Sequence, residues 1–178
     1  MKQQAPLTIT NGALVLPDGT QTGAVRCVDG VIESIGDIAP QDGDDVVDAK
    51  GKLITPGLVD FGVFAVDKPA FHFGGITRAA VMPDQNPPLD YPSRVRLVAQ
   101  SGKPDLWVHP LAAATKGLEG RELAEIGLMK QAGARGVATG RGWIADSGAM
   151  LRLLQYAAML GLVVVSHAED AGIVGSAS

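Results

Sequence analysis

The chain has 178 residues, a net charge of −4 and a hydrophobic fraction of 46%. This length can form a sizeable core, and the hydrophobic content argues against disorder. No apolar run approaches the roughly 20 residues that a membrane span needs. The basic residues are scattered, which argues against nucleic acid as a primary partner. The N-terminal sequence MKQQAPLTITNG lacks the apolar segment of a secretory signal, so we expect a cytoplasmic protein that binds neither nucleic acid nor membrane.

Residues 1–56 are predicted to form a small β module. The segment PLTITNGALVLPDG alternates apolar and polar positions and ends in a turn at Pro17-Asp18-Gly19. Asp29-Gly30 lies between two further alternating runs, which is typical of a β-hairpin. The only cysteine, Cys27, allows no intrachain disulfide and no cysteine-based zinc cluster. We expect Cys27 to be a small buried hydrophobe in a strand.

From residue 57 to residue 178 the pattern changes to strands that alternate with helices. Five strand candidates begin at Leu58 and at the segments GITRAAVMP, DLWVHPLAA, ARGVAT and LVVVSHAED. Helices are predicted over 92–102 with Ser93 as N-cap, over 119–133 with Gly133 at the end, and over 146–161 with Ser147 as N-cap. Apolar strands that alternate with helices indicate a parallel sheet or barrel.

The predicted fold class is therefore α/β, with about five βα units of a (β/α)8 TIM-type barrel after a small β-sandwich-like module. Five units are fewer than the eight that close a barrel. An open five-stranded sheet is one alternative, and the first part of a longer barrel is the other. An open edge at residues 163–166 would expose unpaired backbone and apolar side chains, so we favour the longer barrel.

Chemistry in a parallel barrel takes place where the strands end, at the C-terminal face. His167 is the strongest single candidate, because it ends an apolar strand close to Glu169 and Asp170. A lone histidine is more often a hydrogen-bonded structural residue than a metal ligand. His109 is expected at a strand end or in a loop, and His72 is expected in packing or at an interface. Three histidines at unrelated places do not predict a metal site.

Two further segments follow predicted strands. In MPDQNPP, Asp84 and Asn86 either bond local backbone amides in a rigid loop or orient a substrate, and the residues alone leave both interpretations open. The segment ATGRGW is a weak candidate for a phosphate site, since it lacks the full glycine-rich motif. The carboxylate pairs Asp44-Asp45 and Glu169-Asp170 are expected in surface segments.

Several segments together resemble bacterial dihydroorotases of the amidohydrolase superfamily. They are LITPGLVD, MPDQNPPLD, HPLAAATKGLEGRELAEIGLMKQAGA, DSGAMLRLLQYAAMLGL and VVVSHAED. The resemblance runs from about residue 7 to Asp170, in the order of the family. It implies a metal-dependent (β/α)8 barrel in which zinc activates water for the reversible hydrolysis of dihydroorotate to carbamoyl aspartate. It also implies that the last three barrel strands are absent from this chain.

The resemblance places most of the family's functional positions on residues that cannot perform the chemistry. Gly62 and Phe64 stand where the family has a His-x-His pair, and Val66 stands where it has a substrate-binding arginine. Asp84 stands for the substrate asparagine, and its added negative charge should repel an anionic substrate. The segment VATGRG should supply a bridging ligand but offers Thr139, Gly140 and Arg141. His167 is the one metal ligand retained within the chain.

The resemblance thus implies a non-catalytic dihydroorotase-like subunit of pyrimidine biosynthesis that assembles with aspartate carbamoyltransferase. The expected protein is oligomeric, needs no cofactor, and keeps Asp84, Asn86 and His167 as vestigial site residues. The alternative is an active, divergent cyclic-amide hydrolase in which Asp60, Asp67 and His167 form a rebuilt zinc site. A ligand-binding sensor is a third possibility, without specific support in the sequence.

Overall fold

The computed structural model describes residues 5–169 and residue 173, so Asp170 and most of the final segment AGIVGSAS lie outside the described residues. The chain divides into two compact units, Met1–Pro56 and Gly57–Ser178. In the described part of the chain, no helix combines the length and the apolar character that crossing a membrane requires.

The first unit contains one five-stranded sheet in the order β3-β2-β1-β4, with β5 also paired to β1. Its strands are β1 (Leu7–Leu16), β2 (Gly19–Val28), β3 (Val31–Gly36), β4 (Asp45–Asp48) and β5 (Leu53–Ile54). The hairpin predicted at Asp29-Gly30 joins β2 to β3, and both turn residues have positive φ angles, 51° and 77°. These angles suit a two-residue hairpin turn that follows the twist of the strands. Cys27 lies in β2 as expected, but it is half-buried.

A buried ion pair crosses this sheet at Arg26 and Asp44. Arg26 donates from Nε to Asp44 Oδ2 at 2.8 Å and from Nη2 to Oδ1 at 2.9 Å, and it also pairs with Glu33. Thr8 donates its hydroxyl to the same carboxylate at 2.6 Å. The residues on either side of Asp44 are exposed, as predicted for a surface segment, whereas the Asp44 side chain itself is 0% exposed. Bonds from Arg26, and then from Thr8, hold the pKa of Asp44 well below its usual value.

The second unit contains a curled sheet of five parallel strands in chain order, which supports the predicted partial barrel. These strands are β6 (Leu58–Val63), β7 (Ile76–Val81), β8 (Trp107–Ala113), β9 (Gly136–Ala138) and β10 (Val163–Val165). The helices between them are α1 (Lys68–Phe73), α2 (Pro92–Ser101), α3 (Ile126–Gln131) and α4 (Ser147–Met159). A 3-10 turn covers Lys116–Leu118. The five strand positions were predicted, whereas α1 was missed because six residues give no clear helical period.

The predicted N-caps of α2 and α4 were each displaced by one or two residues. Tyr91 precedes α2 without a capping bond, and Pro92 begins the helix, so Ser93 lies inside it. Proline is favoured there because the first helical residue needs no amide partner. At α4 the N-cap is Asp146 instead of Ser147, and its carboxylate accepts bonds from two backbone amides at 2.7 and 3.0 Å. A carboxylate at this position also complements the helix dipole.

The helix predicted over 119–133 is confined to Ile126–Gln131. The preceding residues instead form a short antiparallel bridge in which Leu123 opposes Thr115. Two backbone bonds reinforce it, from Lys116 to Glu122 at 2.9 Å and from Ala124 to Ala114 at 3.0 Å. The backbone after β8 thus bonds the Glu122 carbonyl and the Ala124 amide, two groups that a longer helix would have bonded internally. The segment ends at Gly133 with φ +115°, as predicted.

The apolar core of the second unit lies mainly between the outer face of the sheet and the helices. Its largest cluster is built from fully buried residues of α2, α3, β9 and α4, among them Val95, Ile126, Met129, Val137 and Leu153. A smaller cluster lies on the inner, concave face of the sheet and contains Ala80, Met82, Leu111 and Ala138. The helices therefore cover one face of the parallel sheet and position the strand ends.

The buried Asp44 carboxylate predicts an acid-sensitive contribution to stability. Its pKa is lower in the folded state than in the unfolded state, so the unfolded chain binds the extra proton as pH falls. The contribution is therefore present above about pH 4 and is lost below that value. We expect Asp44→Asn to lower the Tm by several degrees at pH 7 and to flatten the acid side of the Tm profile. Differential scanning calorimetry between acidic and neutral pH measures both effects.

The matched control is Asp42→Asn, because Asp42 is an exposed carboxylate two residues away. The control should leave both the Tm at pH 7 and its acid dependence close to those of the parent chain. Equal Tm losses in the two variants would contradict a specific role for the pair of Arg26 and Asp44.

Candidate functional site

The C-terminal ends of the five parallel strands meet at one edge of the sheet, and hydrogen bonds connect their loops. Backbone bonds join Met82 to Val63 at 2.8 Å and Thr139 to Val165 at 3.0 Å. The Gln85 side chain donates to the carbonyl of Phe64 at 3.0 Å. The end of β6 is therefore fixed to the loop after β7, and the end of β9 is fixed to β10.

Gly62 occupies a β-bulge in β6. The register between β6 and β7 shifts from Phe61 to Val63, and Gly62 between them has φ +118°. Only glycine adopts this backbone conformation without strain. The local backbone at the first expected ligand position is therefore matched to a residue without a side chain.

Phe64 contacts a cation that the sequence did not predict. The guanidinium carbon of Arg141 lies 4.1 Å from the centroid of the Phe64 ring, a cation–π contact between the ends of β6 and β9. The ring remains 40% exposed. In the sequence, Arg141 stood out only as a residue that cannot bind metal. Its contact with Phe64 joins two positions that are 77 residues apart in the sequence.

Asp84 connects the loop after β7 to the loop after β9. Its Oδ1 accepts a hydrogen bond from the backbone amide of Arg141 at 2.9 Å. The Asp84 carboxylate thus bonds a backbone amide, as in the first of the two interpretations left open, but the amide belongs to a distant loop. Asp84 Oδ2 is buried without a hydrogen-bond partner among the residues that the structure describes. Asn86 is exposed and precedes a cis peptide bond to Pro87.

Gly140 allows this approach of the two loops. It has φ +76°, and a Cβ atom there would lie 2.9 Å from Asp84 Oδ1 and 3.2 Å from Oδ2. Both the backbone conformation and the close carboxylate therefore require glycine. The glycine was visible in the segment ATGRG, but its role depends on a contact with Asp84 that no local pattern encodes.

His167 follows β10, where its backbone amide donates to Thr139 Oγ1 at 3.0 Å. Its ring Nε2 lies 2.5 Å from Glu169 Oε2, and the two side chains are 42% and 38% exposed. The imidazole is thus bonded to a neighbouring carboxylate at the strand end. The predicted proximity of His167 to Glu169 is present, whereas Asp170 lies outside the described residues.

The other proposed ligands do not join His167. Asp67 is the N-cap of α1 and accepts a bond from the Ala70 amide at 3.1 Å. Asp60 lies within β6, before the bulge. Across residues 5–169 and 173, no three His, Cys, Asp or Glu side chains are grouped in a way that could hold a metal ion. A catalytic zinc ion needs three or four convergent ligands, and among these residues His167 is bonded to Glu169.

His109 and His72 lie away from the strand ends. His109 was expected at a strand end, but it lies in the middle of β8, which continues to Ala113 because its backbone pairs with β7 and β9. It lines a concave cavity of about 290 Å³ on the inner face of the sheet. His72 lies in α1 between buried Phe71 and Phe73, which is 96% exposed.

The fold of this chain is similar to that of solved hydantoinase and dihydroorotase structures. The structure matches L-hydantoinase from Arthrobacter aurescens with a TM-score of 0.79 and 24% identity, over 96% of this chain and 42% of that chain. It matches a dihydroorotase with a TM-score of 0.63 and 13% identity, over 94% and 52% of the two chains. At these identities the likeness defines the fold alone. No family model matches the chain.

Sequence relatives make the relationship more specific, because the chain is a homologue of proteins named dihydroorotase. It is 36% identical over 165 residues to dihydroorotase of Ruminiclostridium cellulolyticum, covering 84% of this chain and 38% of the relative. It is 39% identical over 160 residues to that of Pelotomaculum thermopropionicum, covering 82% and 37%. The chain thus spans less than two fifths of the length of these relatives.

The contact between Gly140 and Asp84 predicts a local cost for any added side chain. We expect Gly140→Ala to lower the free energy of unfolding by about 1–2 kcal/mol, the usual penalty of a left-handed backbone for an L-residue. The crowding against Asp84 adds to this penalty. Gly142→Ala is the matched control, because a Cβ atom there meets nothing within 4 Å. Chemical denaturation of both variants tests the prediction, and equal stabilities would contradict it.

Proposed function

We propose that this chain is a dihydroorotase-like protein of pyrimidine biosynthesis that serves as a non-catalytic structural subunit of aspartate carbamoyltransferase. The coarser part of this assignment rests on the dihydroorotase homologues. The loss of catalysis is supported by the residues at the strand ends, and the partner follows from the resemblance to the non-catalytic members of the family.

The contact between Arg141 and Phe64 is the observation that carries the loss of catalysis. Phe64 stands at the second expected histidine position, and Arg141 stands beside the position of the expected bridging ligand. A guanidinium carries a permanent positive charge in proteins. Its positive charge, 4.1 Å from the ring centroid, would repel a zinc dication placed next to Phe64. The pair replaces two donor positions with a cation and a hydrocarbon ring.

The backbone at Gly62 supports the same conclusion. A histidine at this position would have to adopt φ near +118° or straighten the bulge and shift the register of β6 against β7. Either change costs free energy. The backbone at the first ligand position therefore favours glycine, and a histidine introduced there would be strained.

An active, divergent cyclic-amide hydrolase is the alternative function, and it is supported by the homologues named dihydroorotase. It requires His167, Asp60 and Asp67 to converge on zinc. Asp67 would have to leave the N-cap of α1, and His167 would have to leave Glu169. These rearrangements make the structural role the better supported function.

We expect the full-length protein to form a complex with the aspartate carbamoyltransferase of the same organism. Size-exclusion chromatography with light scattering should give one peak whose mass contains both chains, and transferase activity should be higher in the complex. The R. cellulolyticum dihydroorotase, added instead of this chain, is the control for non-specific association. Separate elution of the two proteins at concentrations well above micromolar would refute the proposed partner.

The proposed loss of catalysis predicts substoichiometric zinc and no turnover of dihydroorotate at high protein concentration. Metal analysis after dialysis and an absorbance assay of dihydroorotate hydrolysis measure the two quantities. Stoichiometric zinc together with activity that disappears in His167→Ala would establish the alternative function. His72→Ala is the matched control, because His72 lies on α1 and was not a proposed ligand.

If the charge of Arg141 repels a metal ion at this site, neutralising Arg141 should strengthen zinc binding in a variant that carries a histidine ligand at position 64. We expect Phe64→His with Arg141→Gln to bind zinc at least about tenfold more tightly than Phe64→His alone. Competition with a chromophoric chelator measures the affinities. Phe64→His with Arg121→Gln is the control for net charge, and an equal gain in that variant would contradict a local effect of Arg141.

A further inference from the structure

Two consecutive side chains in the loop after β7 bond the two residues that form the cation–π contact. Asp84 Oδ1 accepts a hydrogen bond from the backbone amide of Arg141 at 2.9 Å. Gln85 Nε2 donates to the backbone carbonyl of Phe64 at 3.0 Å and to that of Met82 at 3.1 Å. This dipeptide therefore holds the backbone of both partners of the contact, although they are 77 residues apart in the sequence.

The bond between Asp84 and Arg141 is shielded from water. Asp84 Oδ2 is buried, and a Cβ atom on Gly140 would lie 2.9 Å from Asp84 Oδ1 and 3.2 Å from Leu118 Cδ1. Leu118, from the turn after β8, thus lies at the same side of Gly140 as the carboxylate. A carboxylate accepts a stronger hydrogen bond than a neutral oxygen does, and the exclusion of competing water strengthens it further.

The contact between Arg141 and Phe64 needs support from its surroundings. Arg141 has several rotatable bonds, and holding its side chain over one ring costs rotamer entropy. A cation–π contact that remains accessible to water offsets little of this cost, and the Phe64 ring is 40% exposed. Fixed backbones at both residues lower the cost, because fewer torsion angles remain to be ordered.

We propose that Asp84 and Gln85 are positioning residues that hold Arg141 over Phe64, and we name this pair the Asp84–Gln85 clamp. The clamp keeps the guanidinium at the position from which it repels a metal ion. For this consequence the inference rests on the proposed loss of catalysis, whereas the clamp itself depends only on contacts among the loops after β6, β7 and β9. It gives Asp84 a role within the protein in place of the substrate contact that the family resemblance implies.

The first test measures whether the clamp holds Arg141 over the ring. Ring currents shift the proton resonances of a guanidinium above a phenyl ring upfield, so we expect an upfield Arg141 Nε–H resonance in NMR spectra of the isotope-labelled full chain. Phe64→Leu should abolish this shift. Asp84→Ala and Gln85→Met should each remove most of it, because each loses a bond to the backbone of one partner. Asp84→Asn keeps an oxygen acceptor and should retain the shift.

Gln100→Met is the matched control for Gln85→Met, because it removes the same amide at an exposed position of α2. It should leave the Arg141 resonance unchanged. If Asp84→Ala fails to fold, Gly140→Ala gives the same information, since its added Cβ atom displaces the carboxylate from the Arg141 amide. Arg141 resonances that are equal in the parent chain, Asp84→Ala and Gln85→Met would overturn the clamp.

The second test measures the consequence of the clamp for metal exclusion. In a chain that carries Phe64→His, the substitutions Asp84→Ala and Asp84→Asn remove the same negative charge, but only Asp84→Ala releases the backbone of Arg141. We expect the Asp84→Ala chain to bind zinc at least about fivefold more tightly than the Asp84→Asn chain in competition with a chromophoric chelator. Equal affinities would overturn the role of the clamp in metal exclusion.

The two tests distinguish failure of the clamp from failure of the proposed function. Stoichiometric zinc in the parent chain would contradict the proposed loss of catalysis, whereas an upfield Arg141 resonance that depends on Asp84 and Gln85 would still support the clamp. A parent chain that binds no zinc and shows no upfield Arg141 resonance would overturn the clamp and leave the proposed loss of catalysis intact.

Discussion

The parallel register of β6 to β10 determines which residues of the second unit can meet. Because the strands run in one direction, their C-terminal ends lie at the same edge, and loops far apart in the chain become neighbours. Asp84 can therefore bond the Arg141 amide, and Arg141 can cover Phe64. The same register places Arg78 of β7 beside His109 of β8 on the concave face. The contacts at the C-terminal edge and those on the concave face thus follow from one pattern of strand pairing.

The residues at the strand ends form a connected set. Gly62 adopts a bulge that suits glycine, and Arg141 contacts the ring of Phe64. Asp84 fixes the backbone that presents Arg141, and Gly140 makes room for the Asp84 carboxylate. These contacts give the edge of the sheet its own network of hydrogen bonds and packing. Each member depends on its neighbours, so a change at one position should disturb the others.

The elements with strong local patterns could be predicted from the sequence, and the contacts between distant segments could not. Apolar runs located the five strands of the second unit, and Asp29-Gly30 located the hairpin between β2 and β3 of the first unit. The burial of Asp44 was missed because its pairing with Arg26 joins positions 18 residues apart. His109 was misplaced since the proline after it suggested a strand end, although Pro110 is accommodated within β8. The partners of Asp84 and Arg141 depend on strand order, which no local spacing reveals.

The C-terminal edge and the concave face of the parallel sheet differ in how their charged groups are bonded. At the C-terminal edge, the guanidinium of Arg141 is already occupied by the Phe64 ring, and the Asp84 carboxylate accepts the backbone amide of Arg141. The charged groups of Arg141 and Asp84 are thus bonded to other residues of the same edge. On the concave face, Arg78 and Arg135 face an apolar surface whose described lining contains no acid. The edge therefore satisfies its charged groups with partners from neighbouring loops, whereas the described lining of the concave face supplies no counter-charge for its arginines. Burying these guanidinium groups without a counter-charge would cost solvation free energy.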